Sequence, residues 1–353
     1  MKIGVLTFHF VYNYGAMLQA YALSHYLSRL DQVECEVIDY RPRTIDFLYH
    51  PDWTDFCNHP KVVLRNYLKK KMSCADFQAF EHFINTYFVL SNRIKSDLEF
   101  ERALNQYDAV FVGSDQVWNP SITGFNKNYL LQNSKKDLKK FSYAASIGRN
   151  EVNNEWRQNL KLLSEFEKIS VREESAGRII KEIIPGKEVR CIVDPVFLFT
   201  PEEWREMEKK VEDVSKYLLF YSLNNSKALE IKAEELSRQS GLKVVSIHPL
   251  YKSGVGKSKC NIGPEQFLWL IDHAEYVCTD SFHATAFSAI FSKRIIVQYD
   301  TGKGNRIRNI LEVLGEKTEE NLGDIDIYSF FGKNRKLEKL KDVGRGFIKE
   351  CME

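Results

Sequence analysis

No Cys-x-x-Cys pair occurs in this sequence. The seven cysteines, Cys35, Cys57, Cys74, Cys191, Cys260, Cys278 and Cys351, are scattered and odd in number. That spacing argues against a zinc ribbon or a dithiol redox motif, and free thiols in a reducing compartment are expected. Uncharged apolar runs of about 18 residues are also missing, so no membrane-spanning helix is expected. The opening residues 1–8 hold too short an apolar run for a signal peptide and no small-residue cleavage site. Charge of one sign is lacking as well: 50 basic residues face 48 acidic ones, for a formal net charge of +2. Such a balance leaves no broad electrostatic footprint for nucleic acid, while a local basic pocket for one small anion stays compatible with it. There is no short-period repeat and no low-complexity segment. The expectation from these absences is a cytoplasmic protein with no metal-ligand cluster.

What is present is an ordinary globular composition, 44% hydrophobic and 28% charged over 353 residues. Domains usually hold roughly 100–200 residues, so two are expected. Residues 3–8 form a short apolar run, read as a buried strand. Helical spacing follows over 16–30 (Leu18, Ala22, Leu23, Tyr26, Leu27, Leu30), then a second strand over 34–40. This is the opening of a doubly wound α/β domain. Residues 41–100 break the rhythm with Pro42, Pro51, Pro60 and the run Lys69-Lys70-Lys71, and read as an irregular, partly helical insertion. Strands return at 107–112, 141–146, 169–172 and 189–193. Thr200, Pro201 and Glu203 then mark a linker and a capped helix start. Beyond them, strands at 217–221, 243–247, 276–278 and 295–299 alternate with helices at 226–239, 264–271, 282–291 and 307–314. The expected division is 1–199 with its insertion, 200–334, and a charged helix over 335–353 of the kind that packs back on the first domain.

In open parallel sheets, ligands bind beyond the carboxyl ends of the strands. Polar residues at those ends are therefore the candidates. After the first strand, Asn13 and Gly15 can turn the chain and offer backbone N–H groups at a helix start to an anion or a sugar hydroxyl; an ordinary loop would look the same. After the strand at 107–112 comes Gly113-Ser114-Asp115-Gln116-Val117-Trp118-Asn119. There Asp115 either accepts the proton of an attacking hydroxyl or caps the next segment, with Ser114, Gln116, Trp118 and Asn119 as hydrogen-bonding and stacking groups. Arg172, at a strand end, either grips a carboxylate or phosphate bidentately or pairs with a local acid. His283 follows Ser281 in the first turn of a helix and is either an acid facing a cleft or a core histidine. Farther on, residues 299–306 are glycine-rich and carry Lys303 and Arg306, a second place for an anion, without P-loop spacing.

Taken together and in order, these strings resemble the polysaccharide pyruvyl transferase family. They are Asn13-Tyr14-Gly15-Ala16-Met17-Leu18-Gln19-Ala20, Gly113-Ser114-Asp115-Gln116-Val117-Trp118-Asn119, Ser142-Tyr143-Ala144-Ala145-Ser146-Ile147-Gly148, Ser170-Val171-Arg172-Glu173-Glu174-Ser175, Asp194-Pro195-Val196 and Thr279-Asp280-Ser281-Phe282-His283-Ala284. The resemblance implies two Rossmann-like domains facing a cleft, as in GT-B glycosyltransferases. It implies phosphoenolpyruvate as donor and a sugar of a glycan, or of its lipid-linked or nucleotide-linked precursor, as acceptor. Contact with a lipid-linked sugar would bring the protein to a membrane surface. His283 matches the family's proposed acid and Arg172 its donor-binding arginine, with Lys303 or Arg306 as a second cation. No cofactor is implied. In many members Arg stands two residues before the histidine, or Leu directly before it; here those positions are Ser281 and Phe282. Two other classes share the pattern: a GT-B enzyme using a nucleotide-sugar donor, and a non-catalytic sugar-binding protein.

Overall fold

The computed structural model describes residues 1–47, 77–224, 226–248, 254–299, 306–314, 316–322, 325–330 and 334–353, with positions 49, 57, 60, 63, 64 and 332 between them. Lys303 and much of the 41–100 insertion lie outside the described residues. The insertion's described part includes the helices Phe77–Tyr87 and Asp97–Leu104.

Two sheets organise the chain. The first is built from β1 (Lys2–Leu6), β2 (Glu34–Val37), β3 (Ala109–Val112), β4 (Lys139–Ala145), β5 (Lys168–Val171) and β6 (Val189–Cys191). Their spatial order is β2-β1-β3-β4-β5-β6 and every pairing is parallel. Strands covered on both faces need apolar residues throughout, and β3, Ala-Val-Phe-Val, is buried at all four positions.

The second sheet runs β12-β13-β11-β10-β7-β8-β9, from β7 (Tyr217–Tyr221), β8 (Lys243–Ser246), β9 (Lys257–Ser258), β10 (Tyr276–Thr279), β11 (Arg294–Gln298), β12 (Glu316–Leu322) and β13 (Ile325–Ser329). Strands β7 to β11 pair in parallel. Strand β13 joins β11 antiparallel and β12 extends that edge. This edge pair is absent from the sequence reading. Glu-Lys-Thr-Glu-Glu-Asn-Leu has no alternation of apolar and polar residues, and only its pairing with β13 makes it a strand.

The helix Tyr14–Ser28 joins the two layers. Asn13 caps it, its Oδ1 accepting from the Gly15 and Ala16 N–H groups at 3.0 and 3.2 Å; such caps stabilise a helix by about 1 kcal/mol. The helix is apolar nearly all round, the pattern of one buried on several sides. One side packs on its own sheet. On another, Tyr14 stacks on Phe267 of the helix Pro264–Asp272 at 4.6 Å and on Phe80 at 5.3 Å. A continuous apolar cluster thus runs from Ile3 and Leu18 to Phe267 and Phe287. The chain returns at its end: Arg345 in the helix Asn334–Met352 donates to the Leu198 carbonyl at 2.6 Å, and Phe347 packs on Tyr143.

The box at 200–203 forms as its residue types require. Thr200 Oγ1 accepts from Glu203 N, and Glu203 Oε2 accepts from Thr200 N at 2.8 Å. One expectation fails. Cys260 is disulfide-bonded, so the cysteines are not all free thiols; Cys35, Cys57, Cys191, Cys278 and Cys351 are free. Among the described residues, no helix is long and apolar enough to cross a membrane.

Candidate active site

Among the parallel strands of each sheet the order reverses at one point, between β1 and β3 in the first and between β7 and β10 in the second. Loops diverge there and leave a crevice at the carboxyl ends. Both crevices open into the same cavity of about 1060 Å³. The first half contributes Asn13, Asp115, Gln116, Asn119 and residues 148–151. Across from them stand Leu223, Asn224, Asp280, Ser281, Phe282, His283, Gln298 and Arg306.

Asp194, just beyond β6, ties the two halves together. Its side chain is fully buried, and its Oδ2 accepts from Ser114 Oγ at 2.7 Å and from Arg172 Nη1 at 2.7 Å. His283 Nε2 lies 3.5 Å from the same oxygen. The imidazole of the second half and the guanidinium of the first therefore meet on one carboxylate. Burial would raise the Asp194 carboxyl, but His283, Arg172 and Ser114 hold it well below the usual carboxylate range. Burial would likewise lower Arg172; Asp194, Asp115 and Glu173 overcome that and hold the guanidinium above its ordinary value.

Arg172 is only partly satisfied. Its Nη2 sits 3.6 Å from Asp115 Oδ1, beyond hydrogen-bond reach, and its Nε and Nη2 are buried without a hydrogen-bond partner, as is His283 Nε2. Buried donors without partners are uncommon. Like Arg149, Arg306 lines the cavity. Burial and the nearby charge of Arg172 push it down to about 10.

Three loops shape the wall beside Arg172. Asp115 adopts a left-handed backbone with φ 70°, a region where Asp is among the few tolerated side chains. Its Oδ1 accepts from the Gln116 N–H at 2.8 Å. Gln116 Oε1 accepts from Asn119 Nδ2. Gly148, at φ 66°, lies so close that a Cβ would fall 2.1 Å from Gln116 Oε1. Glu173 fastens this loop from behind, one carboxylate oxygen accepting from Ser146 Oγ, Ile147 N and Gly148 N at 2.8–3.0 Å.

His283 lies in the first turn of the helix Phe282–Ile290, capped by Ser281. Its ring rests on the helix Tyr14–Ser28 at Gly15, where a Cβ would fall 2.0 Å from His283 Nδ1. Only glycine lets the two halves approach so closely.

The structure thus gathers Asn13, Asp115, Gln116, Asn119, Ser281, His283 and Arg306 around one cavity, with Arg172 buried beside Asp115 and Gly15 beneath His283. Three expectations are corrected. Trp118 cannot stack on a ligand in the cavity: it is fully buried and donates to the Tyr129 carbonyl. Ser114 is also fully buried and faces Asp194, so it supports Arg172 rather than a substrate. The N–H groups of Gly15 and Ala16 do not present an anion site, because Asn13 occupies them. His9, in the same loop, is turned into a buried pair with Asp39 at 2.9 Å.

Sequence reasoning gave Asp194, Phe282 and Glu173 no part in the site. An Asp-Pro pair at a strand end was the signal for Asp194. Among the described residues one group, Glu208, Asp272 and His273, brings three metal-ligating side chains together. It is not part of the cavity lining. Asp272 there is already bonded to Arg205 at 2.7 and 3.2 Å, and His273 Nδ1 lies 3.0 Å from the Trp269 carbonyl.

A family model for polysaccharide pyruvyl transferase matches residues 13–297, most of the chain. The chain belongs to the polysaccharide pyruvyl transferase family. Solved structures share its fold. A UDP-GlcNAc 2-epimerase from Neisseria meningitidis, bound to UDP-GlcNAc, is similar with a TM-score of 0.54 and 13% identity, over 97% of this chain and 91% of that one. A UDP-GlcNAc 2-epimerase from Methanocaldococcus jannaschii is similar with a TM-score of 0.55 and 14% identity, over 96% and 91%. An alpha-glucosyltransferase in complex with UDP and a 13-mer DNA reaches 0.50 at 10% identity, over 98% and 90%. At such identities the likeness is one of fold, the GT-B arrangement. No curated protein matches the sequence.

Proposed function

We propose that this family member is a cytoplasmic enzyme that moves the enolpyruvyl group of phosphoenolpyruvate onto a sugar of a polysaccharide, or of its lipid-linked or nucleotide-linked precursor, as a cyclic ketal. The observation that carries this reading is the Arg172–Asp194–His283 junction at the cavity, where a buried guanidinium with two unpartnered nitrogens stands beside an imidazole. Arg172 and Arg306 would bind the donor's carboxylate and phosphate, with Lys303 as a further cation. His283 would give a proton to the methylene carbon, turning CH2 into CH3 and leaving positive charge on the neighbouring carbon. One sugar hydroxyl attacks that carbon, the C–O bond to phosphate breaks, and a second hydroxyl closes the ketal. The two hydroxyl protons balance the step: one replaces the proton that His283 gave, and the other leaves with phosphate. Asp115, 3.6 Å from Arg172 Nη2, would accept a hydroxyl proton, and Asn13, Gln116, Asn119 and Ser281 would offer hydrogen bonds to the acceptor. Fixed charges of this kind often supply the largest part of transition-state stabilisation. As written, the reaction is balanced without a metal or an organic cofactor.

The test is phosphate release from phosphoenolpyruvate against a panel of lipid-linked and nucleotide-linked sugars. Release that depends on one acceptor is expected. No release with any acceptor, together with sugar transfer from a nucleotide-sugar donor, would make the protein a glycosyltransferase instead.

Gly15 provides an independent check. Gly15→Ala places a methyl group where the imidazole lies, so His283 must shift by an ångström or more. A misplacement of about 1 Å can cost roughly 100-fold in rate, and overpacking typically costs about 1–3 kcal/mol. Turnover is expected to fall about 100-fold in a protein that still unfolds cooperatively on heating. A normal rate in Gly15→Ala would show that the ring's seat on this helix has no bearing on chemistry.

A further inference from the structure

The Phe282 ring lies against three groups assigned above to the donor end, Arg172, Arg306 and His283. The Arg172 guanidinium carbon lies 4.5 Å from its ring centroid and that of Arg306 lies 5.9 Å away. The His283 ring meets it edge to face at 5.0 Å and 85°. The Phe282 side chain is buried yet reaches the cavity wall. Among the described residues, Arg306 has no carboxylate within ion-pair distance, and Arg172 shares Asp194 with His283.

Two guanidiniums brought to one apolar wall repel each other, and a leucine there would do nothing to offset that. An aromatic ring presents a negative face, which attracts a guanidinium within about 6 Å of the centroid. We propose that Phe282 is a positioning residue for the anion site: its ring holds Arg172 and Arg306 as a like-charged pair directed at one doubly charged ligand. The proposal rests on the donor reading above, and it deepens that reading by assigning the spacing of the two cations to the ring. A ligand with two anionic groups gains from both guanidiniums at once, because neither has to be moved against the other's charge when it binds.

The experiment measures binding of inorganic phosphate and of phosphoenolpyruvate by calorimetry, together with KM and kcat. The proteins compared are the wild type, Phe282→Leu, Phe282→Tyr and a variant with pentafluorophenylalanine at 282. Leucine keeps the apolar bulk. Tyrosine keeps the negative face. Fluorination keeps the shape and inverts the ring's charge distribution. The expected result is a loss of affinity of roughly tenfold in the leucine and fluorinated proteins, seen in KM with kcat within about threefold, and near-normal affinity with tyrosine. Equal affinity in the wild type, Phe282→Leu and the fluorinated protein would overturn the proposal, as would a fluorinated protein that binds like the wild type while Phe282→Leu does not. Binding is read without turnover, so the two readings separate. A wild type that binds phosphate and phosphoenolpyruvate but consumes neither overturns the proposed reaction, and the same variants still decide the ring's role. A wild type that binds neither overturns both.

Discussion

His283→Gln is expected to cut turnover at least a hundredfold and to leave the fold in place. Glutamine keeps a polar group of similar reach in the slot above Gly15, and Asp194 retains Arg172 and Ser114 as partners. What disappears is the imidazole assigned above as the proton donor. General acids of this kind contribute roughly 10²–10⁴-fold, so acceptor-dependent phosphate release should drop by at least two orders of magnitude. Affinity for phosphoenolpyruvate should change far less, because the two guanidiniums remain. Steady-state kinetics and calorimetry on the same preparation check both halves. A variant with near-normal kcat would remove His283 from the mechanism.

Asp194→Ala should be strongly destabilising. The carboxylate is inaccessible to solvent and compensates a guanidinium whose side chain is 2% exposed. Deleting one partner of a buried ion pair leaves an uncompensated charge and typically costs about 3–5 kcal/mol. Urea denaturation at neutral pH should show that loss. Asp194→Asn should fall in between, because the amide can still bond Ser114 while its charge is gone.

The effect of pH on this pair has a definite sign. The folded state holds the Asp194 carboxyl below its unfolded value, so its contribution is fully present above about pH 4, the ordinary aspartate range. It is lost as acid protonates the group in the folded protein. The gap in stability between wild type and Asp194→Ala should therefore narrow as pH falls below about 4. A gap that widens there, or a neutral-pH loss under about 1 kcal/mol, would mean that the junction does not hold the halves as described.

Much of the secondary structure was legible because its causes are local. Tyr217–Tyr221 is a run of five aromatic or apolar residues and appears as a strand at those bounds. Thr200, Pro201 and Glu203 close their box within one turn. The order of strings from Asn13 to His283 pointed to the family, and the strand ends pointed to the residues that the cavity collects. What failed had remote causes. Trp118 and Asn119 are neighbours in a loop rich in sugar-binding residue types, yet one is buried against Phe166 and the other faces the cavity. The direction of each follows from how strands β3, β4 and β5 stack, which no spacing within the loop encodes.

By itself, then, the sequence determined the alternation of strands and helices, the capped helix starts and the polar residues at the carboxyl ends of the strands, because hydrophobic period and capping act over a few residues. The tertiary structure alone decided which of those residues share a site. Asp194 bonds Ser114 across 80 residues and Arg172 across 22, and it receives His283 from the other half of the chain. Such contacts arise only when two sheets bring their switch points together, and a buried charge settles where remote partners can compensate it.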